Sequence, residues 1–147
     1  MPMRVEKMKE KELKLLRYLH ANARESLTNI SKETGIPIST LFETQKQLEN
    51  NYVHKHTALI DFQKIGYALK TGFIIKAKDK EKMKKKLMEE KSVNTLTVTA
   101  NGPDYYTENI FKDLKELEEF KEMLTAEDAK YTALYVVESI KQEEFCP

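Results

Sequence analysis

The sequence is poor in the residues that anchor most small-protein chemistry. Its 147 residues include one cysteine, three histidines and no tryptophan. A lone thiol, Cys146, cannot close an internal disulfide, and no Cys/His cluster has zinc-ligand spacing. Such cysteine usage suits a reducing compartment, so a cytoplasmic location is expected. No run reaches the roughly 18 consecutive apolar residues of a membrane span. The charged segment 1–14 lacks the apolar centre of a secretory leader. No Gly-x-Ser-x-Gly elbow, P-loop or HExxH pair occurs. His54 and His56 would share one side of an extended segment, but scattered histidines more often cap, pack or hydrate than bind metal. A non-enzymatic protein with no metal and no cofactor is therefore expected.

What is present is a soluble, globular composition, 40 % hydrophobic and 33 % charged. The length fits one ordinary domain or two small ones, and two half-size cores would each be marginal without dimerisation. The net charge of +1 decides nothing by itself. Its distribution says slightly more: residues 1–60 carry ten Lys/Arg against seven Asp/Glu, and residues 61–147 carry fifteen against seventeen. The N-terminal part is mildly basic, far short of a polycationic arm.

Apolar periodicity predicts a helix over 9–22, from Leu13, Leu16, Tyr18 and Leu19. A second runs from about Leu27 to Thr34, with Ser26 as N-cap and Gly35 as its stop. Pro37 can start a third, over 38–50, with Leu41 and Leu48 on its inner face. Residues 52–60 read as a short strand-turn-strand with Lys55 and His56 at its tip. Together these make a winged helix-turn-helix over residues 1–60, followed by a hinge at 61–66.

From residue 67 the pattern changes. A strand is predicted over 67–78, a very basic helix over 79–91 capped by Asp79, and an alternating strand over 92–100. Asn101-Gly102-Pro103-Asp104 is a turn, and Tyr105–Phe111 is the returning strand. Asp113 to Glu116 resembles a capping box ahead of a stripe at Leu114, Leu117, Phe120 and Leu124. Tyr131–Glu138 is a last strand. The order β-α-β-β-α-β is the ferredoxin-like motif, so the fold class is α+β, with residues 67–147 as a dimerisation domain. Helices would cover one face of its sheet, and a second copy of the domain is the simplest cover for the other.

This layout resembles the Lrp/AsnC, or feast/famine, regulators over about Lys9 to Lys141. The local matches are Glu12-Leu13-Lys14-Leu15-Leu16, Asn22-Ala23-Arg24, Gly35 to Leu41, Leu48-Glu49, Thr57 to Asp61 with Ile65-Gly66-Tyr67, and Asp113 with the stripe after it. The resemblance implies a C-terminal domain of the RAM type and homodimers that bind double-stranded DNA and can assemble to tetramers or octamers. It also implies an amino acid or other small metabolite as effector. The chain departs from the family at three places. Thr44 and Gln45 stand where an Arg and an Ile are usual, Tyr52 stands at a usual Gly, and Asn101 replaces the Gly of a Gly-x-x-Asp loop whose Asp is kept as Asp104.

On the third helix, Ser39 and Thr40 would meet phosphate or bases, Phe42 a thymine methyl, Glu43 cytosine N4, Lys46 phosphate or guanine, and Gln47 adenine. The plainer alternative is the solvated face of an ordinary surface helix. Lys55 and His56 would grip the backbone beside the groove, or merely fill a turn. Asn101, Gly102, Pro103 and Asp104 form the candidate effector loop; turn geometry alone also accounts for them. The basic helix at 79–91 reads as a solvated face interleaved with Glu81, Glu89 and Glu90 rather than a nucleic-acid patch. Tyr105, Tyr106, Tyr131 and Tyr135 read as core or dimer packing rather than a base-stacking platform. Two competing functions are a ligand-binding or assembly protein whose DNA binding has faded, and a tetrapyrrole decarboxylase, which shares this scaffold.

Overall fold

A computed structural model of the chain describes residues 7–147. The chain divides into two units. The first runs to Leu59 and includes Lys141–Pro147; the second is Ile60–Ile140.

The first unit contains α1 (Glu10–Ala21), α2 (Leu27–Thr34) and α3 (Ile38–Asn51). Ser26 begins α2 by accepting the Asn29 N–H on its Oγ at 3.1 Å. Gly35 ends it at φ 73°, a left-handed conformation that glycine adopts without a Cβ clash. Lys9 and Glu12 close the start of α1, the Glu12 carboxylate accepting the Lys9 N–H at 2.8 Å. Leu15, Leu19, Ile30, Leu41 and Leu48 are buried together as an aliphatic core. Each such side chain contributes roughly 1.5–3 kcal/mol. Thr44 is buried beside them, its hydroxyl donating to the Thr40 carbonyl at 2.8 Å. An inward helical position thus holds a polar residue without leaving its hydroxyl unpaired. Tyr52 follows α3 at φ −128°, where no glycine is required.

The expected wing is a correction. Residues 53–60 form no strand, and Leu59 and Ile60, expected on an apolar side, are exposed. A tight two-residue hairpin needs left-handed residues at its tip. Neither Lys55 nor His56 has a positive φ, and no glycine stands there. The helix-turn-helix is therefore present without a β wing.

In the second unit a 3-10 turn, Gln63–Ile65, precedes β1 (Leu69–Lys76). Then come α4 (Lys80–Glu89), β2 (Val93–Val98), β3 (Tyr105–Phe111), α5 (Leu114–Ala126) and β4 (Lys130–Tyr135). The strands form one antiparallel sheet in the order β2-β3-β1-β4. Register pairs Phe73 with Thr107 and Ala133, and Ile75 with Tyr105 and Tyr131. These residues share the face on which Met83 and Leu87 of α4 and Leu117, Phe120 and Leu124 of α5 are buried. Phe73 and Phe120 meet edge-on at 4.8 Å. Leu114 is a second correction: as the first residue of α5 it is 67 % exposed, outside the buried stripe. The opposite sheet face carries Gly72, Ile74, Tyr106 and Leu134, and α4 and α5 both pack on the other side of the sheet. A Cβ on Gly72 would lie 3.3 Å from the Tyr106 Oη, so the Tyr106 side chain packs close against the bare strand there.

Candidate nucleic-acid interface and ligand loop

α3 presents two chemically distinct faces. Leu41, Thr44 and Leu48, at helical spacing, turn inward onto α1 and α2. Ser39, Phe42, Glu43, Lys46 and Gln47 are exposed, and Thr40 is half-buried at the border. Ser39, Thr40, Glu43 and Gln47 line one hollow of about 330 Å³. Lys11 of α1 and Thr44 also line it. Lys11 was not singled out from sequence: it lies in another helix, and only the packing of α1 against α3 brings it there. Lys46 places its ammonium 4.6 Å from the centre of the Phe42 ring, so cation and ring form one unit. Pro37 precedes α3 without a side-chain cap, and Leu41 supplies the first N–H to close a helical bond. The N–H groups of the first turn have no partner within the helix.

Lys55 is exposed and lies in no regular element. His56 is not at a free tip: its Nε2 is 3.1 Å from Oε1 of Glu49, which also accepts the Gln45 amide at 3.0 Å. These bonds, the Gln45 amide foremost, hold the Glu49 carboxyl below the ordinary glutamate range. Gln45 is thereby turned to tethering the segment after α3. His54 is exposed, and no group of metal-ligating side chains occurs among the described residues.

In the second unit the 101–104 loop is a formed turn. Asn101 and Gly102 adopt φ 64° and 126°. The Thr99 hydroxyl donates to the Pro103 carbonyl at 2.9 Å, and the Thr99 N–H to the Asp104 carbonyl at 2.9 Å. Asp104 is 7 % exposed. Its Oδ2 accepts the Ala77 N–H at 2.9 Å, and its Oδ1 meets Lys80 at 3.3 Å and Lys76 at 3.5 Å. The Ala77 N–H, with the two lysines, holds this carboxyl below the usual aspartate range. Asp104 thus meets ammonium groups from its own chain.

In the basic helix α4, Lys80, Lys82 and Lys86 are held in ion pairs. Lys82 and Lys86, one turn apart, both hold Glu127, at 3.0 and 2.6 Å. The tyrosines divide. Tyr105 is buried, its hydroxyl donating to the Lys80 carbonyl at 2.9 Å, and Tyr131 packs edge-on to Phe73. Tyr106 lies on the helix-free face, and Tyr135 is exposed and bonded to Lys121 at 2.6 Å. A further hollow of about 390 Å³ in this unit is lined by Tyr67, Lys91, Ser92, Lys112, Glu116 and Phe120 among others.

No family model matches the chain. It is 30 % identical over 136 residues to an uncharacterized HTH-type transcriptional regulator of Pyrococcus horikoshii, covering 87 % of this chain and 84 % of that one. A second such regulator, from Pyrococcus furiosus, is 28 % identical over 138 residues, covering 90 % of this chain and 93 % of that one. Among solved structures, a transcriptional regulator from Neisseria meningitidis, in complex with L-Met, superposes with a TM-score of 0.84 at 20 % identity, covering 96 % and 97 % of the two chains. An AsnC family regulator from Agrobacterium tumefaciens gives 0.81 at 18 % identity, covering 95 % and 97 %.

Proposed function

Because this chain belongs to the HTH-type transcriptional regulators and has the fold of the Lrp/AsnC members, we propose that it binds duplex DNA through α3 as a homodimer or larger assembly. The observation that carries this reading is the face of α3. Ser39, Glu43, Lys46 and Gln47 stand outward on a helix whose other side is locked by Leu41, Thr44 and Leu48. A braced helix with polar, exposed side chains fits the major groove. Lys11 and Lys46 supply phosphate contacts, and Gln47 and Glu43 read base edges. With so few cations per copy, affinity depends on two copies acting together. The helix-free sheet face, with Ile74, Tyr106 and Leu134, is the surface on which a second copy closes. A small metabolite at the 101–104 loop modulates binding, as the L-Met complex of the Neisseria structure suggests. The role is one of binding rather than catalysis, exercised in the cytoplasm where the DNA is.

The test is titration of the full chain onto duplex DNA from upstream of its own gene, at two salt concentrations. The expected result is sequence-selective binding that weakens steeply with salt. Lys46→Ala should weaken binding to all sequences and lower the salt slope by about one. Gln47→Ala should relax sequence choice instead. Binding unchanged by both substitutions would remove α3 as the reader. No binding, even to a random-site pool, would leave a ligand-binding or assembly role.

A further inference from the structure

The chain leaving α3 is held in place by few bonds. Tyr52 and Val53 both donate their N–H groups to the Leu48 carbonyl, at 2.8 and 2.9 Å. Among the described residues, no backbone group from His54 to Ile60 is bonded to another backbone group. The polar contact that ties this stretch down is His56 Nε2 with Glu49 Oε1, at 3.1 Å. The same oxygen accepts the Gln45 amide at 3.0 Å, which fixes the carboxylate along the helix. A contact between two such exposed side chains adds little to stability. Its effect is to set where residues 54–56 lie.

That placement matters because of what borders α3. Phe42, Gln45 and Glu49, at helical spacing, form one flank of the helix, and Lys46 rests on the Phe42 ring. The opposite flank is the hollow of Ser39, Thr40, Glu43 and Gln47, with Lys11 of α1 beside it. A helix in the major groove has a sugar-phosphate strand on each side. Lys11 supplies a cation from outside α3 on one side. On the other, the tether at His56 brings up its neighbour Lys55, which is exposed. A β ribbon would hold such a cation by its own ladder, and residues 53–60 form no strand.

We propose that Gln45 and Glu49 are positioning residues that take the place of the missing wing: through His56 they hold Lys55 along the flank of α3, where its ammonium meets a phosphate of duplex DNA. This rests on the reading of α3 as the DNA reader. Gln45, one of the places where the chain departs from the Lrp/AsnC pattern, thereby acquires a role. Neither Gln45 nor Glu49 touches the DNA; the Glu49 carboxylate is turned to its two donors.

The test is the salt dependence with which the full chain binds a duplex selected from a random-site pool. Lys55→Ala should weaken binding about threefold to tenfold and lower the salt slope by about one for each copy bound. Glu49→Leu should do the same although it removes an acid; an acid that only repelled phosphate would leave tighter binding behind. Adding Lys55→Ala to Glu49→Leu should lower the slope no further. Glu49→Gln keeps an acceptor for both donors and should keep the parent slope. Gln45→Leu cuts the brace without changing any charge and should shift the slope in the same direction as Glu49→Leu, so the test stands even if Glu49→Leu fails to fold. Denaturation midpoints should stay near that of the parent. An unchanged slope in Lys55→Ala, or tighter binding by Glu49→Leu, would overturn the proposal and leave α3 as the reader. If Lys46→Ala and Gln47→Ala also leave binding unchanged, the reading of α3 falls, and this inference with it.

Discussion

The two units solve the burial problem in different ways. The helical unit has a small, wholly aliphatic core, and the one buried polar side chain among its described residues, Thr44, is satisfied within its own helix. The sheet unit has a larger core built around Phe73, Phe111, Phe120 and Tyr105. It also buries Thr71, Thr107, Asn109 and Asp104. Thr107 donates to Asn109 at 2.7 Å, and Asn109 donates to Ser92 at 3.0 Å, a chain of polar contacts leading outward. The difference follows from shape. Three short helices enclose so little volume that any unpaired polar atom would be ruinous, whereas a four-stranded sheet under two helices leaves room for a polar network.

Single substitutions sharpen this contrast, and the largest effects lie in the cores. Phe73→Ala should cost about 3–5 kcal/mol and loosen the sheet unit. Leu48→Ala should cost about 2–5 kcal/mol and, against a smaller total, unfold the helical unit. Residue-resolved hydrogen exchange reports each unit separately; equal loss of protection in both units from either change would show one cooperative core instead of two. Ser26→Ala removes the cap of α2 and should cost the helical unit about 1 kcal/mol, read as a lower denaturation midpoint at unchanged slope.

Thr71 gives an effect of opposite sign. Its hydroxyl is fully buried and has no partner among the described residues. Thr71→Val should stabilise the sheet unit by about 1 kcal/mol, raising its melting temperature by a few degrees. A lower melting temperature would mean that the hydroxyl has a partner, such as a buried water. The smallest effect concerns Glu49. Its carboxyl is depressed in the folded chain, so it favours folding above the ordinary glutamate range and loses that contribution as pH falls through its own lower value. Its carboxyl resonance should titrate below 4.5, and Gln45→Ala should raise the midpoint.

Local chemistry was legible in the sequence; distant consequences were not. The limits of α2 follow from Ser26 and Gly35, and those of β3 from the turn before Tyr105, because caps and turns are decided by neighbours. The β-α-β-β-α-β order was legible for the same reason. The wing was misjudged because Ala58-Leu59-Ile60 is apolar enough for a strand, yet nothing between Tyr52 and Ile60 supplies the reversal a ribbon needs. Leu114 has the spacing of a core residue but sits on the first turn of α5, where the helix has not yet reached the sheet. The exposed face of α3 could be read from its periodicity, but not Lys11 beside it. The state of Asp104 depends on Ala77, Lys76 and Lys80, 24 to 28 positions away, and no local pattern announces that pairing.

The two margins of the sheet also differ in how they guard against unwanted association. β2 carries a register irregularity between Val93 and Thr95, which interrupts the regular row of outward peptide groups another strand would need. β4 pairs with β1 without interruption from Lys130 to Tyr135 and has no such defect. In a concentrated or heat-stressed sample, β4 is therefore the seam along which misassembled chains would join. Lys130 at its start is a charge that discourages it, and a variant that neutralises that lysine should aggregate faster than the parent chain on heating.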